Sequence, residues 1–281
     1  MRSDHPLFIK YPLDSTVQLG GEDRTSPYHI YDGDLVLIGG RTDAAAAADL
    51  LAGERLTPVL DSEGSALMAL WLGDFTAANL GPHHELQISL FGVLRPQPRV
   101  KRDPFAIHRL LILNPDVYMI CHGLWNNTPK AVGYNQAHLG LDAHLSASRI
   151  DHDREAQRMT FQVSDAASGK PVAEGSVGLP ARQALAVTWS MAQHLGFKGM
   201  MEAARTPFIH VPVVNTRSAY AADNCVAHTY TRSDRQIIRR YGNRDSISIQ
   251  HPRYAPPELP PRFRPAQRRD ALCLPASPQL I

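Results

Sequence analysis

Short strand-like segments follow one another along most of this 281-residue chain, and this succession limits the fold more than any other feature. Residues 84–90 (HELQISL) show it most clearly, because polar and apolar side chains alternate strictly, as they do on the two faces of a strand. The other predicted strands are residues 34–40, 65–75, 107–113, 158–163, 171–179, 207–214, 225–232 and 246–250.

Two segments favour helices. Residues 42–52 begin with a Thr-Asp pair that can cap a helix, run through a group of alanines and stop before a glycine. Residues 184–205 have a helical composition, although Gly196 and Gly199 predict a break inside them. The chain lacks the regular alternation of strand and helix that indicates a parallel sheet. It therefore belongs to the α+β class, with a mostly antiparallel sheet that we expect to close into a barrel with few outer helices.

The end of the chain differs in composition from the rest. The 27 residues from Ala255 onward include seven prolines, which cannot donate a backbone hydrogen bond to a neighbouring strand. We therefore expect no central strand in this tail, which is either an extended arm on a neighbouring surface or disordered.

Composition and charge exclude several classes of function. The 29 basic and 27 acidic residues give a net charge of +2, so bulk charge supports neither a nucleic-acid nor a membrane-surface partner. No apolar run approaches the roughly 18 residues of a membrane span, and the first 26 residues lack the apolar core of a signal peptide. The three cysteines and 13 histidines show no disulfide framework or metal-ligand spacing. We expect a cytoplasmic protein with no metal or other cofactor.

Lysine is scarce, and Lys130 stands out among the five lysines of the chain. It lies in residues 125–134 (WNNTPKAVGY), among apolar and amide side chains, directly after Pro129, which favours an extended or turn conformation at Thr128. If this segment folds inward, desolvation favours a free amine, which can attack a carbonyl and form a Schiff base. The alternative is an ordinary solvated lysine.

Glu85 lies on the polar face of the alternating strand, together with Gln87 and Ser89. Inside a small barrel this face lines a cavity, and Glu85 then directs a carboxylate into it. On the outside of a half-buried sheet the same pattern is a solvated face. The sequence of this strand alone does not distinguish a cavity-lining face from a solvated face.

Several segments, in order, resemble acetoacetate decarboxylase. They include the lysine motif at residues 129–134 (PKAVGY) and a glycine-led motif that ends in Glu85, at residues 80–85 (LGPHHE). The remaining similar segments are residues 27–43 (PYHIYDGDLVLIGGRTD), 205–215 (RTPFIHVPVVN) and 241–261 (YGNRDSISIQHPRYAPPELPP). The similarity divides the chain into an N-terminal extension (1–26), a barrel domain (27–261) and a Pro/Arg-rich C-terminal tail (262–281).

The resemblance implies a cone-shaped, closed antiparallel barrel with a central cavity, in a protein that forms homo-oligomers. It also implies that Lys130 is the Schiff-base lysine and Glu85 the cavity carboxylate. Two departures from the family pattern stand out. The second lysine that normally follows the first is Ala131 here, and the arginine after the Pro-Tyr pair is Gly33.

The resemblance implies a cofactor-independent Schiff-base lyase acting on a small oxo acid through an iminium at Lys130. Because both extra cations are missing, aldol, dehydration or cyclisation chemistry ranks above decarboxylation of a 3-oxo acid such as acetoacetate. Relatives that act as aldolase-dehydratases or cyclases on 2-oxo acids resemble this chain in an amide four residues before the lysine, here Asn126. The third possibility is a ligand-binding barrel without turnover.

Further residues are candidates for the substrate-binding site. Tyr134 either donates a proton or packs, and Trp125 forms a wall of the cavity. Arg205 pairs with a substrate carboxylate or forms a surface ion pair, and His251 lies at the mouth. His84 neighbours Glu85 but points to the opposite face if the strand is regular.

Overall fold

A computed structural model describes residues 8–9, 11–52, 56–95, 99–102, 106–107, 110, 117–179, 184–205, 208–214, 225–236, 239–240, 245–250 and 272–280. Within 202–214, 225–240 and 272–280 only the course of the backbone is described. Among the described residues, no helix has the length and apolar character that crossing a membrane requires.

Strands make up most of the described chain. The first seven are β1 (Ser15–Leu19), β2 (Glu22–Ser26), β3 (Ile30–Thr42), β4 (Thr57–Pro58), β5 (Ala66–Ala78), β6 (His83–Val93) and β7 (Tyr118–Asn126). The others are β8 (Ala143–Asp153), β9 (Arg158–Asp165), β10 (Pro171–Gly178), β11 (Phe208–Val214), β12 (Cys225–Gln236), β13 (Arg239–Arg240), β14 (Ser246–Ile249) and β15 (Leu272–Leu280). The helices are α1 (Ala44–Leu51), α2 (Pro129–Ala137) and α3 (Leu185–Arg205).

One large sheet carries the fold. Its strand order is β14-β10-β9-β8-β7-β11-β12-β15-β3-β5-β6-β4, β13 pairs with β15, and β7 also pairs with β6. Pairing is antiparallel except where β7 meets β8 and β11. The expected α+β class with a mostly antiparallel sheet is confirmed. The sheet curls into a half-barrel, and its closure into a cone-shaped barrel with a central cavity remains a prediction.

The core lies on both faces of the central strands of the sheet. On β6, Leu86, Ile88 and Leu90 belong to one buried cluster, whereas Phe91 belongs to another that also contains residues of β5 and β7. A strand that is covered on both faces holds most of its side chains away from bulk water. Gln87 and Ser89 of β6 are accordingly buried, whereas His84 and Glu85 near its start keep some exposure.

Both predicted helices are present. Asp43 caps α1, with its side chain accepting a hydrogen bond of 2.8 Å from the amide of Ala46, as the Thr-Asp pair predicted. The predicted break in α3 occurs at Gly196, whose φ of 68° lies in the left-handed region. No such break occurs at Gly199, which is helical.

Two expectations about secondary structure were wrong. Residues 106–107 and 110 are helical, although residues 107–113 were predicted as a strand, and the other residues of that segment lie outside those described. The tail contributes β15, which pairs with β12 on one side and β3 on the other.

The position of β15 has a physical explanation in its irregular pairing. Pro275 and Pro278 lack an N–H but keep their carbonyl groups as acceptors. The register of β15 with β3 shifts between Ala276 and Leu280, and its register with β12 is also interrupted. An interrupted strand of this kind accommodates prolines that a continuous hydrogen-bond ladder excludes.

Candidate active site

Glu85 lies on β6 at the point where three strands meet. It is opposite Asn126, the last residue of β7, and opposite Gly73 of β5. The two polar residues that follow on the same face are buried, and the Gln87 amide donates a hydrogen bond of 2.7 Å to the Ser89 hydroxyl. The polar face of this strand therefore points into the protein, and the solvated-face reading is excluded.

A chain of side-chain amides supports the Glu85 carboxylate. Asn126 Nδ2 donates to Glu85 Oε2 at 3.1 Å, and Asn135 Nδ2 of α2 donates to Asn126 Oδ1 at 2.9 Å. Both asparagines are buried. Since the Asn126 oxygen is held by Asn135, the Asn126 amide nitrogen must face the carboxylate. The network therefore fixes the orientation of the group next to Glu85.

The protonation of Glu85 differs from that of an ordinary glutamate. Its side chain keeps some accessible surface, yet protein atoms surround the carboxyl group closely. Burial raises the pKa of Glu85 from 4.5 to about 7, and the hydrogen bond from Asn126 opposes part of this rise. A carboxyl group with this pKa can both accept and donate protons near neutral pH.

The helix α2 begins three residues after β7 ends. Thr128 is its N-cap, in the extended conformation expected before a proline, and its hydroxyl accepts a hydrogen bond of 3.4 Å from the Ala131 amide. Pro129 occupies the first turn, where its missing N–H costs nothing. This start places Ala131, Tyr134 and Asn135 on the buried face of α2.

The Lys130 side chain is exposed, in the first turn of α2. The desolvation that the surrounding apolar and amide residues predicted is therefore absent, because the segment forms a helix and only the neighbouring face is buried. Ala131, at the position of the family's second lysine, has no accessible surface. A lysine there would have to bury its charge or displace its neighbours.

Tyr28, which feels the charge of Glu85, lies beside a buried histidine and a second tyrosine. The hydroxyl of Tyr28 is hydrogen-bonded to Nε2 of His83, and the rings of Tyr28 and Tyr134 lie 5.8 Å apart. Burial, and then the charges of Glu85 and Tyr134, raise the pKa of Tyr28 well above 10. Tyr28 is therefore a neutral phenol that can donate a hydrogen bond.

His83 is held as a neutral imidazole. Its Nδ1 lies 2.9 Å from the carbonyl oxygen of Gly81, which can only accept, so Nδ1 carries the proton. Burial lowers the pKa of His83. Its Nε2 therefore accepts the hydrogen bond from Tyr28, and the pair is orientated without any net charge.

His84 points to the other face of β6, as strand alternation predicted. Its Nδ1 lies 2.9 Å from the Ser148 hydroxyl, and its Nε2 lies 3.6 Å from Asp74. Asp74 also pairs with His152 at 2.9 Å, and this hydrogen bond lowers the pKa of Asp74 and raises that of His152. His84 thus belongs to a separate polar cluster and not to the surroundings of Glu85.

Trp125 does not join Glu85. Trp125 is buried on the opposite face of β7 from Asn126, where it packs in the core beside Leu86 and stacks on the ring of His144. Arg205 is the last residue of α3, and its side chain lies outside the described part. His251 lies outside the described residues as well.

Gly33, at the position of the family's arginine, leaves no room for a side chain. It lies in an irregularity of β3 where the pairing with β5 shifts, and its φ is 151°. A Cβ atom there would lie 2.4 Å from the carbonyl oxygen of Asp74 and 2.7 Å from the Cα of Phe75. The backbone at this position therefore excludes an arginine side chain, and replacing Gly33 alone cannot restore one.

Sequence reasoning missed five residues of this site: Ser26, Tyr28, His83, Asn135 and His138. The alternation of β6 placed His83 on the face of Glu85, and this signal was available. Asn135 and His138 depend on α2, which was not predicted. Ser26 and Tyr28 lie at the end of β2 and just after it, and only the tertiary fold brings them to the site.

Two other features of the described residues bear on ligand binding. No group of three or more His, Cys, Asp or Glu side chains among them is arranged to hold a metal ion. A groove of about 600 Å³ on β8, β9, β10 and β14 is lined by residues such as Arg149, Glu174 and Asp245, and by none of the residues around Glu85.

No family model and no curated protein matches the sequence. Among solved structures, acetoacetate decarboxylase from Legionella pneumophila covers 98% of this chain and 94% of its own, at 10% identity and a TM-score of 0.48. The enduracididine biosynthesis enzyme MppR in complex with pyruvate covers 90% and 88%, at 13% identity and a TM-score of 0.45. An acetoacetate decarboxylase-like enzyme from Sphingomonas wittichii RW1 covers 89% and 91%, at 10% identity and a TM-score of 0.42.

These values are too low to transfer a function, which has to be inferred from the site itself. The chain is similar to acetoacetate decarboxylase and acetoacetate decarboxylase-like enzymes, the family that its sequence segments resemble.

Proposed function

We propose that this chain is a cofactor-independent Schiff-base lyase that acts on a small oxo acid, with Lys130 as the amine and Glu85 as the acid–base group. The observation that carries the proposal is the Glu85 carboxyl, whose pKa of about 7 and fixed amide partner suit it to move protons. Asn135 connects this carboxyl to the helix that bears Lys130.

The reaction begins with attack of the Lys130 amine on the ketone carbon. Loss of water from the adduct gives an iminium, which withdraws electrons from the neighbouring carbon. Ionised Glu85 takes a proton from that carbon to give an enamine, which then adds to an aldehyde carbonyl or takes the proton back. Hydrolysis of the iminium releases the product and restores the amine.

Asn126 has a defined part in this scheme. One hydrogen of its Nδ2 is directed to Glu85, and the second binds a substrate oxygen once the side chains that cover Asn126, which is 0% exposed, move aside. Because Asn135 holds the amide orientation, this donor is in place before the substrate arrives. A carboxylate or hydroxyl of an oxo acid is a suitable acceptor for it.

The proposal requires the Lys130 side chain to turn from solvent toward Tyr134, which is one helical turn further along α2. Residues four positions apart lie on nearly the same helix face, and the Tyr134 side chain leans toward the turn that contains Lys130. Exposed side chains change rotamer in picoseconds to nanoseconds, so a rotamer change of this kind is fast compared with turnover.

Aldol, dehydration or cyclisation chemistry on a 2-oxo acid ranks above decarboxylation of a 3-oxo acid such as acetoacetate. The buried position of Ala131 and the close backbone contact at Gly33 leave no cation at either place. The site instead provides proton-transfer groups, which the first class of reactions needs at the carbon next to the iminium. Carbon dioxide release from acetoacetate, without condensation of pyruvate with an aldehyde, reverses this ranking.

A second candidate is a protein that binds an oxo acid without turnover. The exposure of Lys130 favours it, since an amine in solvent leaves Glu85 and Asn126 as a binding site alone. Ligand-dependent thermal stabilisation without imine formation is the result that distinguishes this candidate from the lyase.

Borohydride trapping is the experiment that tests the proposed function. The protein is incubated with pyruvate or acetoacetate and borohydride, and its intact mass is measured. We expect one adduct in the wild type and none in Lys130→Ala. Lys198→Ala is the matched control, since Lys198 is also exposed on a helix, and it should keep the adduct. Absence of an adduct with both acids, or an adduct in Lys130→Ala, refutes the proposal.

A further inference from the structure

A chain of hydrogen bonds leads from the protein surface to a tyrosine beside the Glu85 site. Nε2 of His138 lies 3.3 Å from the Ser26 hydroxyl, and the Ser26 hydroxyl lies 3.0 Å from the Tyr134 hydroxyl. Tyr134 and Ser26 are 1% and 7% exposed, whereas His138 is exposed to solvent. The chain thus joins solvent to the interior within three side chains.

The three residues come together because β2 ends against α2. Ser26 is the last residue of β2, and His138, the C-cap of α2, lies one helical turn after Tyr134. The rings of Tyr134 and His138 meet edge to face with centroids 5.0 Å apart, and on its other side Tyr134 approaches Tyr28. The serine bridges the two helical residues, with its hydroxyl between them.

We propose that His138, Ser26 and Tyr134 form a proton relay that connects solvent to the acid–base chemistry at Glu85. The relay rests on the proposed function, because it supplies the protons that this function has to exchange. Each of the three side chains can both donate and accept a hydrogen bond, which is the property a relay needs and a packing contact does not.

The proton transfers balance along the chain. His138, once protonated by solvent to the imidazolium, gives the proton on Nε2 to Ser26 Oγ and is left as a neutral imidazole. Ser26 gives its own proton to Tyr134 Oη, and Tyr134 gives its proton to the enamine carbon of the substrate. Both hydroxyls are neutral before and after the transfer, and His138 regains a proton from solvent. Glu85 takes the proton that leaves the substrate carbon, and the relay supplies the solvent proton that replaces it. Glu85 then releases its own proton through the part of its side chain that remains accessible.

The site needs such a path because Glu85 and Tyr28 are desolvated. Burial is the largest cause of the raised pKa of both groups, and only part of the Glu85 side chain remains accessible, so direct exchange with bulk water is restricted. A carboxyl group that keeps the proton it abstracts returns it to the same molecule and exchanges nothing with solvent. A relay allows solvent protons to enter the product at a useful rate.

Deuterium incorporation into the methyl group of pyruvate in heavy water, followed by NMR, tests the relay. We expect Ser26→Ala to slow incorporation by on the order of tenfold or more, within the range of general acid–base effects. Ser26→Thr keeps a hydroxyl and should retain most of the rate. Borohydride trapping is run in parallel and should show the same adduct in all these variants.

His138→Ala provides a test that does not depend on a buried substitution. We expect it to slow deuterium incorporation, and imidazole in the buffer to restore the rate, because the site of the lost ring is exposed to solvent. A loss through altered packing is not restored by imidazole.

Three outcomes overturn the relay, and the last is distinguishable from the first two because it also removes the proposed function. If the wild type forms the adduct but Ser26→Ala and His138→Ala exchange deuterium at the wild-type rate, the relay is wrong and the proposed function stands. The same holds if imidazole fails to restore His138→Ala. If the wild type forms no adduct, the proposed function fails and the relay that serves it fails with it.

Discussion

Replacement of Glu85 by glutamine tests the physical picture of the site without any substrate. Glutamine has nearly the same shape and can still accept the hydrogen bond from Asn126, but it carries no charge. In the wild type the carboxyl binds its proton more tightly in the folded state, where its pKa is about 7, than in the unfolded state, where it is near 4.5.

The sign of the effect follows from proton linkage. Between these two pKa values the folded state holds more protons than the unfolded state, so the free energy of unfolding falls as pH rises. Below about pH 4.5 both states are protonated and there is no penalty. Above about pH 7 the penalty is complete, and the difference between the two pKa values corresponds to about 3 kcal/mol.

Urea unfolding of the wild type and of Glu85→Gln at pH 5 and at pH 8 measures this penalty. We expect the two proteins to be similar at pH 5, and the variant to be more stable at pH 8 by about 2–3 kcal/mol. Glu174→Gln, on an exposed position of β10, is the matched control for the substitution itself. If the free energies of unfolding of the two proteins differ equally at both pH values, or if the variant is less stable at pH 8, the interpretation of Glu85 as a desolvated carboxyl is wrong.

Three further predictions follow from the contacts of the fold and the site. Asn135→Ala leaves the buried Asn126 oxygen without its donor and should cost about 1–3 kcal/mol in urea unfolding, together with slower deuterium exchange of pyruvate. Gly33→Ala should lower the thermal midpoint, because its Cβ meets the β5 backbone. Gly133→Ala, in open space on α2, should raise the midpoint slightly, because alanine stabilises a helix by about 1 kcal/mol relative to glycine. Deletion of the residues after Pro261 removes β15 from between β12 and β3, so we expect a loss of ellipticity in circular dichroism. A protein that keeps its ellipticity but sediments as a smaller oligomer contradicts this.

Local pattern predicted those parts of the site that a single strand determines. The alternation of β6 placed Glu85 and His84 on opposite faces of the strand, and this assignment was correct. Whether the polar face met water or protein was not decided by the strand, because that depends on β5 and β7 on either side. β7 itself was not predicted, since residues 118–126 mix glycine, cysteine and histidine with apolar residues and show no regular alternation.

The lysine segment shows a different limit. Thr128 and Pro129 are a typical helix start, but the following residues include a glycine and two amides and show little separation of polar and apolar faces. The helix is held by buried contacts of Tyr134 with Ser26 and Tyr28, which are distant in the chain, and of Asn135 with Asn126 on the preceding strand. The motif identified Lys130 as the residue of interest, whereas its exposure depends on the phase of a helix that the motif did not reveal.

The retention of a carboxyl at position 85 is difficult to explain by stability alone. Glutamine there keeps the bond to Asn126 and avoids about 3 kcal/mol of penalty above pH 7, so a purely structural role favours the amide. The surroundings of Glu85 are orientated as if for proton transfer: Asn135 fixes Asn126, and Gly81 fixes the tautomer of His83. A residue that lowers stability within a fully orientated network is expected where chemistry requires an exchangeable proton. Glu85→Gln should therefore be the more stable protein at pH 8 and at the same time fail to exchange deuterium into pyruvate, and a variant that exchanges at the wild-type rate removes Glu85 from the mechanism.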